Sequence, residues 1–271
     1  MGSSNITDVS ATISWTASTS NPSGGYNIYY STSSTAPTAG TTPSASVGAG
    51  ITTYNMTGLS SSTTYYVWVR ANCGSGDYSA WSSSINFSTR CAVITTFPWT
   101  EGFEGLASVG TTIFPNCWLE GTGTNWCSQD VATTTYNDPR TGSKYVGCYY
   151  NGTNDRLWTP GFQLTAGVSY DFSTFFVGDG YAGWTGNIVY NTDQSATGET
   201  VLGSAFITSS TTSTNGTNYA QILRSFTPTI SGVYYFGIRI SSTSAPYSSI
   251  SFDDFRLEPT PTCFFPLSVT S

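Results

Sequence analysis

The stretch Tyr54–Ala71, YNMTGLSSSTTYYVWVRA, contains two segments of alternating apolar and polar residues separated by a Ser/Thr cluster. This period of two is typical of strands that bury one face. Three further segments of the first third have the same pattern: ATISWTAS, GGYNIYYSTS and SSINFSTR. Together they predict a β-sandwich of roughly 90 residues.

The composition extends this prediction to the whole chain. Short Val, Ile, Tyr, Phe and Thr runs alternate with Ser, Gly, Asn and Pro clusters throughout the 271 residues, without the periodicity of an amphipathic helix. We therefore predict an all-β protein. A chain of this length accommodates two ordinary domains.

Charge and hydropathy exclude two classes of partner. Charged residues make up 8% of the chain, the net charge is −7 and the pI is about 4.3. Because the few Lys and Arg residues form no basic stripe, we expect no nucleic-acid partner. No apolar run approaches about 18 residues, so we expect no transmembrane segment.

The opening MGSS looks like an expression-vector scar and is set aside.

The first domain resembles a known family. Trp15 in ISWTAS, followed by Tyr54–Ala71, resembles strands B, E and F of a fibronectin type III domain, here placed at residues 5–91. The resemblance implies that Leu59 is a core residue. It also implies that Tyr65 is the corner tyrosine, whose hydroxyl bonds back to the backbone between strands E and F.

A boundary is expected near residues 91–97, before Pro98. The second domain, at residues 97–258, contains WTEGFEG, FPNCW, RLWTPGFQLTAGVSYDFSTFFVG, SFTPTISGVYYFGIRI and ISFDDFRLE in that order. This order resembles the MAM-like jelly rolls of bacterial surface proteins, including cleaved-adhesin domains. Residues 259–271 look like a linker and the start of a next repeat, so the chain is expected to be one period of a longer array.

The cysteines indicate disulfides. Their number is even, the chain has no histidine, and no CxxC pair occurs, which favours disulfides in an extracellular, oxidising setting over zinc. The sequence leaves the overall pairing open. Cys73 and Cys91, at the ends of the strand G excursion of the type III domain, are expected to pair. The full set is Cys73, Cys91, Cys117, Cys127, Cys148 and Cys263.

The segment ISFDDFRL places two adjacent aspartates in a strand that otherwise reads as buried. Side chains alternate faces along a strand, and the apolar phase slips across Asp253 and Asp254. One carboxylate therefore lies in register with buried neighbours, which costs several kcal/mol unless it is paired. Arg256 or Arg239 could supply the positive charge, and a divalent ion is the alternative.

Oxygen ligands without histidine or free cysteine favour calcium. The jelly-roll resemblance implies that the first and last strands lie side by side and often hold a structural calcium. The leading ligands are then Glu104 with Asp253 or Asp254, and the weaker additions are Glu101 and Asp138. In the alternative without a metal, one aspartate faces water and the other bonds to backbone amides or Arg256.

Aromatic residues in or beside loops suggest a second type of site. Exposed rings stack on sugar rings while neighbouring polar groups bond the hydroxyls, and GDGYAGWTGN contains both kinds of group. Alternatively, these rings belong to the core of the jelly roll. The candidate ligand-binding residues are Tyr149, Trp158, Asp179, Tyr181 and Trp184.

These features predict a protein that is not an enzyme. The absence of histidine excludes Ser-His-Asp and Cys-His centres, and nothing marks a cleft around the carboxylates. We expect a segment of a secreted or cell-surface bacterial adhesin, a repeat unit with structural calcium that engages glycans, surface proteins or neighbouring copies. The alternatives are an accessory carbohydrate-binding module of an extracellular polysaccharide-degrading enzyme and a self-assembling fibre subunit that pairs through edge strands.

Overall fold

The computed structural model describes residues 1–121, 123, 125–131, 137–149, 154–180, 183–209, 211–242 and 249–261. The all-β prediction is confirmed: every regular element in these ranges is a β-strand, and the strands pair in antiparallel ladders. None of the described residues forms a helix that could cross a membrane. The chain divides into two compact units, unit 1 at residues 1–92 and unit 2 from Val93 onward.

Unit 1 is a sandwich of two antiparallel sheets. One sheet has the order β1-β2-β5, and the other has the order β4-β3-β6, with both β7 and β8 paired to β6. Ile13, Met56 and Val67 are among the buried residues between them. The strands are β1 (Gly2–Ser4), β2 (Ser10–Ser14), β3 (Tyr26–Ser31), β4 (Ala45–Val47), β5 (Thr53–Thr57), β6 (Thr64–Gly74), β7 (Asp77–Tyr78) and β8 (Ile85–Ser88).

The corner between β5 and β6 confirms two sequence predictions. Leu59 is buried in the core, and its amide donates a hydrogen bond to the Val9 carbonyl over 3.0 Å. The Tyr65 ring is also buried, and its hydroxyl accepts a hydrogen bond from the Ser60 amide over 3.0 Å. Tyr65 therefore combines core packing with a bond to the preceding backbone.

We expect Tyr65→Phe to lower the free energy of unfolding of unit 1 by about 1 kcal/mol, because the Ser60 amide loses its partner while the ring stays packed. Urea unfolding followed by tryptophan fluorescence measures the change. Tyr54→Phe is the matched control, since Tyr54 packs against the same core through its ring. Equal losses for the two variants would contradict a specific role of the hydroxyl.

Unit 2 is a larger sandwich. One sheet has the order β10-β13-β19-β16-β17, with β14 also on β19; the other has the order β11-β12-β20-β15-β18, with β9 also on β20. The strands are β9 (Trp99–Glu101), β10 (Leu119–Glu120), β11 (Trp126–Asp130), β12 (Lys144–Tyr149), β13 (Arg156–Trp158), β14 (Phe162–Leu164), β15 (Tyr170–Val177), β16 (Thr185–Asn191), β17 (Thr200–Ile207), β18 (Ala220–Phe226), β19 (Gly232–Ser242) and β20 (Ser249–Pro259).

Aromatic rings fill the space between the two sheets of unit 2. Phe172 of β15 stacks on Phe236 of β19 with 4.9 Å between ring centroids, and Phe176 lies 5.1 Å from Phe206 of β17. These contacts join strands of opposite sheets, so they hold the sandwich closed. Pairs of this kind are worth about 0.5–1.5 kcal/mol beyond the area they bury.

The edge strands β17 and β18 are bridged by one side chain. The Arg224 guanidinium donates to the Ser204 carbonyl of β17 over 2.6 Å and to the Leu223 carbonyl of β18 over 2.7 Å. Gly203 of β17 has a φ of +74°, and a Cβ there would lie 2.6 Å from the Arg224 side chain. Charged groups and irregular backbone at open edges oppose pairing with another chain.

Candidate functional site

The two aspartates of β20 lie at a β-bulge. β20 pairs with β15 through Phe175 opposite Asp253 and Ser173 opposite Arg256, so β20 contains one extra residue in this interval. Asp254 takes up the excess with a φ of +50°. The bulge explains the phase slip in the sequence, since core-facing residues lie on both sides of it.

Asp253 is fully buried and faces the loop after residue 137. Its Oδ2 accepts hydrogen bonds from the amides of Arg140 over 2.8 Å and Thr141 over 3.1 Å, and its Oδ1 accepts one from the amide of Asp254 over 2.7 Å. Burial and, to a lesser extent, the neighbouring Asp254 raise the pKa of Asp253 to about 7, although these hydrogen bonds oppose the shift.

Asp254 is paired with the same loop through side chains. Arg140 Nη1 lies 2.5 Å from Asp254 Oδ2, and the Thr141 hydroxyl donates to Asp254 Oδ1 over 2.6 Å. The Arg140 guanidinium also lies over the Phe175 ring, 3.5 Å from its centroid. Arg140 therefore supplies the positive charge beside the aspartate pair.

The sequence predicts Arg256 or Arg239 as the partner of the aspartates, and the structure corrects this prediction. Arg256 pairs with Glu258, and Arg239 pairs with Glu199.

Glu104 closes the other end of this loop. Its carboxylate accepts hydrogen bonds from the amide and hydroxyl of Ser143, over 2.8 and 2.7 Å, and from the amide of Lys144 over 2.8 Å. Burial alone would raise the pKa of Glu104, but these hydrogen bonds outweigh it and lower the pKa. Gly142 has a φ of +64°, and a Cβ there would lie 2.4 Å from Glu104 Oε1, so this position requires glycine.

The weaker candidates lie on either side. Glu101 of β9 is paired with Phe255 of β20, so the first and last strands of the sandwich lie side by side as the resemblance implies. The Glu101 carboxylate accepts a hydrogen bond from the Phe103 amide over 2.6 Å, and burial, with the nearby Glu104, raises its pKa. Asp138 instead accepts a hydrogen bond from the Asn215 amide over 2.6 Å.

The cluster contains the oxygen ligands that calcium prefers, but these oxygens are hydrogen-bonded within the chain. Carboxylates and hydroxyls are the hard oxygen ligands that calcium prefers. In the structure, however, Asp253 and Glu104 accept from backbone amides and Asp254 from Arg140. Among the described residues, no three acidic, cysteine or histidine side chains converge into a group that could hold a metal ion. In this arrangement the carboxylates of the cluster are occupied by hydrogen bonds and an ion pair within the chain.

A cavity of about 310 Å³ opens beside the bulge. Glu101, Asp254, Arg140 and Arg256 contribute charges of both signs to its wall, and Phe175 contributes a ring. The carboxylate cluster thus borders a small mixed polar and aromatic depression on unit 2.

The predicted aromatic loop residues do not form an exposed stacking surface. Trp158 and Trp184 have no exposed surface, so the prediction that they stack on a sugar is wrong. Trp184 belongs to the sandwich core. Trp158 lies over Gly237 of the neighbouring strand, where a Cβ would approach its ring to 2.8 Å. Glycine thus provides the space that buries this indole.

The other candidates of that set have mixed outcomes. Asp179 is buried, and its Oδ2 accepts a hydrogen bond from the Ser249 amide over 2.6 Å. Tyr149 is half-buried, and its hydroxyl contacts the Gln129 side-chain amide. Tyr181 lies outside the described residues.

Sequence reasoning missed a partly buried ionic triad. The Glu199 carboxylate accepts from Arg156 Nε over 2.6 Å and from Arg239 Nη1 over 2.8 Å. Burial alone would raise the pKa of Glu199, but the two arginines outweigh it and lower the pKa. The sequence signal for this triad was the small number of Lys and Arg residues, eight in the whole chain. Each arginine that is not fully exposed needs a partner, and the sequence can be searched for an acidic one.

The cysteine predictions are partly wrong. Cys91 and Cys117 are disulfide-bonded. Cys73, Cys127 and Cys148 are free thiols, and Cys263 lies outside the described residues.

Strand geometry explains these three free thiols. Cys73 follows Asn72 at the far end of β6, whereas Cys91 follows β8, whose Ser88 pairs with Thr64 at the start of β6. At about 3.3 Å per residue, the two ends of β6 lie too far apart for a disulfide, which needs Cα atoms within about 7 Å. Cys127 pairs with Gly147 and Cys148 with Trp126, so these two thiols face opposite sides of their sheet.

A scan against family models matches residues 1–88 to the fibronectin type III domain. Unit 1 is a fibronectin type III domain. Its Tyr65 corner and two-sheet order agree with this assignment, and the resemblance that rested on Trp15 and Tyr54–Ala71 is confirmed.

Among curated proteins, the chain is similar to endoglucanase B of Cellulomonas fimi, with 33% identity over 129 residues. The match covers 44% of this chain and 12% of the endoglucanase, so the chain spans a small part of that relative.

Solved structures with a similar fold include two cleaved-adhesin domains of Lys-gingipain. The K2 domain is 18% identical with a TM-score of 0.43 and covers 60% of this chain and 99% of its own. The K1 domain, from Porphyromonas gingivalis, is 16% identical with a TM-score of 0.44 and covers 61% and 100%. A xylan-binding domain from Paenibacillus barcinonensis is 10% identical with a TM-score of 0.41 and covers 61% and 95%. Likeness at this level concerns the β-sandwich fold.

Proposed function

We propose that the chain is a non-catalytic, adhesive segment of a secreted or cell-surface bacterial protein, a repeat unit that engages glycans or surface proteins. This proposal rests on the observation that the carboxylates of unit 2 are engaged in holding a loop. Asp253, Asp254 and Glu104 all hold the loop between residues 140 and 144 through hydrogen bonds. Groups committed in this way stiffen a sandwich, whereas hydrolysis needs an acid and a base that face a substrate.

Low charge and many hydroxyl groups support an extracellular adhesive role. With 8% charged residues, the surface offers hydroxyl, amide and aromatic groups for contacts that salt screens little. Weak binding per unit is sufficient, because several units on one protein raise the overall avidity.

The second candidate function is an accessory carbohydrate-binding module of a polysaccharide-degrading enzyme. The similarity to a Cellulomonas fimi endoglucanase favours it, since a match confined to 12% of that protein is compatible with a shared non-catalytic segment. In this case the ligand would be a plant-type polysaccharide and not a host surface.

A binding comparison with the 271-residue chain tests both functions. Depletion from solution by insoluble cellulose and xylan is measured beside capture on immobilised mucin and extracellular-matrix proteins, while released reducing sugar is assayed in the same tubes. The adhesin predicts capture without sugar release. Depletion by the polysaccharides alone would favour the carbohydrate-binding module, and sugar release would refute both proposals.

Structural calcium remains a proposal for the carboxylate cluster. Glu104 with Asp253 or Asp254 would hold the ion, Glu101 and Asp138 would be weaker ligands, and Arg140 would have to leave Asp254. If calcium binds the folded state, its addition raises the melting temperature through mass action, and EDTA reverses the rise. We expect Asp254→Asn to abolish this difference and Asp193→Asn, at an exposed site elsewhere in unit 2, to preserve it. Equal melting temperatures with calcium and EDTA would refute calcium binding.

The fibre alternative requires open sheet edges, and Arg224 is bonded to both β17 and β18. We expect Arg224→Ala to increase self-association, measured by sedimentation velocity and electron microscopy, because two edges lose their charged cover. Arg90→Ala in the type III domain is the control. Filaments formed by the unmodified chain would contradict the protective role of Arg224 and favour the fibre subunit.

A further inference from the structure

The cavity of about 310 Å³ beside the bulge lies on the outer face of a sheet of unit 2. Phe172 and Leu257 of that sheet point into the core, so their neighbours Ser173 and Arg256 point away from it. These two polar side chains therefore lie on the surface of the sandwich and not between its sheets. The volume is at the lower end of the range of roughly 300–1,000 Å³ that is usual for small-molecule sites.

A polar row crosses the floor of the cavity. Thr100 of β9 pairs with Arg256 of β20, which pairs in turn with Ser173 of β15, so the three side chains share one face. Two residues further along β15, Phe175 pairs with Gln221 of β18 on the same face. From Thr100 to Ser173 the row spans two interstrand spacings, about 10 Å, which is longer than one pyranose ring.

The charged groups of the cavity are already engaged within the chain. Arg140 lies 2.5 Å from Asp254, and Arg256 donates to both carboxylate oxygens of Glu258, over 2.8 and 2.6 Å. Glu101 also reaches the cavity, but its carboxylate accepts from the amide two residues later. An ionic ligand would have to displace one of these interactions, so the cavity favours a neutral ligand.

The neutral polar groups, by contrast, are not engaged. Within the described ranges, the side chains of Thr100, Ser173 and Gln221 make no hydrogen bond. Ser173 is 5% exposed, and its hydroxyl is not one of the unpartnered atoms that are sealed from solvent, so its remaining surface opens to the cavity. A nearly buried hydroxyl without a partner gains more from a ligand than an exposed one, because it has little hydration to lose.

We propose that this cavity binds a neutral disaccharide unit of a glycan through hydrogen bonds to Thr100, Ser173 and Gln221. Each of the three groups both donates and accepts, as sugar hydroxyls do. The Arg140 guanidinium covers the Phe175 ring at 3.5 Å, so the sugar binds without stacking on that face, and weak binding per unit is expected. This site rests on the glycan-binding function proposed above and gives it a location in unit 2.

The test uses the full 271-residue chain, labelled with ¹⁵N and kept in EDTA so that calcium does not compete. Gln221→Ala identifies the side-chain amide signal of Gln221. Cellobiose, xylobiose and N-acetyllactosamine are titrated, beside sorbitol as an open-chain polyol and N-acetylglycine amide as a neutral peptide. We expect the Gln221 signal to shift saturably with at least one disaccharide and with neither control.

The Ser173→Ala variant separates recognition from folding. Because the hydroxyl has no partner in the described chain, we expect its removal to leave the melting temperature unchanged or to raise it. Binding of the disaccharide should weaken about fivefold, the loss of one hydrogen bond. Gln163→Ala, at an exposed position of β14 in the other sheet, is the control that should leave binding unchanged. Unchanged binding in Ser173→Ala, or equal weakening in Gln163→Ala, would overturn the site.

The polysaccharide and mucin assays of the proposed function distinguish two kinds of failure. If the unmodified chain is captured on mucin or depleted by a polysaccharide, and no disaccharide shifts the Gln221 signal, this site is wrong and the function stands. If neither capture nor a shift occurs, both fail. An equal shift with sorbitol or with N-acetylglycine amide would also overturn the site, because the cavity would then not recognise a sugar ring.

Discussion

Glu199→Ala is expected to lower the free energy of unfolding of unit 2 by about 3 to 5 kcal/mol, because two largely buried guanidiniums lose their shared carboxylate. The side chains of Arg156, Glu199 and Arg239 are 12%, 8% and 22% exposed, so water cannot replace the lost partner fully. Denaturant unfolding of the 271-residue chain, followed by a probe in unit 2, measures the loss.

The chain contains a matched control for this experiment. Arg256 and Glu258 form an ion pair at 2.6 Å in the same unit, with side chains 42% and 28% exposed. We expect Glu258→Ala to cost less than about 1 kcal/mol, because exposed ion pairs contribute little. Equal costs for Glu199→Ala and Glu258→Ala would show that burial of the triad has no energetic consequence.

The second large effect is a dependence of stability on pH. Burial and Asp254 raise the pKa of Asp253 from 3.8 to about 7, so between these values the folded chain binds a proton that the unfolded chain has lost. The stability of unit 2 should therefore fall as the pH rises from about 4 to about 7, by up to about 4 kcal/mol. Thermal unfolding in EDTA measures this without competition from a divalent ion.

Asp253→Asn removes the titration and should flatten this decline. A residual slope of the same sign is expected from Glu101 and Glu120, whose pKa values burial also raises. Glu104 and Glu199 act in the opposite direction: hydrogen bonds lower their pKa values, so their contribution is lost as the pH falls below about 4.5. A decline in Asp253→Asn as steep as in the parent chain would refute the role of Asp253.

The sequence predictions that were confirmed depend only on residues that are close to one another along the chain. The alternation of apolar and polar side chains located the strands. The short corner from Leu59 to Tyr65 contains both the donor and the acceptor of its hydrogen bond. The phase slip at Asp253 and Asp254 likewise indicated the bulge, because an extra residue reverses the faces on either side of it.

The predictions that failed required knowledge of distant strands. Whether Trp158 is exposed depends on Gly237, nearly eighty residues later, and on the space left by its missing side chain. The partner of Asp254 is Arg140, which pattern reasoning along β20 could not identify. Cys73 and Cys91 looked close in a linear scheme of strand G, but the length of β6 separates them.

The free thiols Cys127 and Cys148 have a consequence for how long the protein persists. Burial raises the pKa values of both, which keeps them protonated and unreactive in the folded chain. Unfolding in an oxidising medium would expose them, and each could then form a disulfide that the native sheet does not accommodate. Such a molecule could not return to the native state. Its lifetime outside a reducing compartment would be set by the rate at which unit 2 opens and not by the equilibrium between folded and unfolded forms.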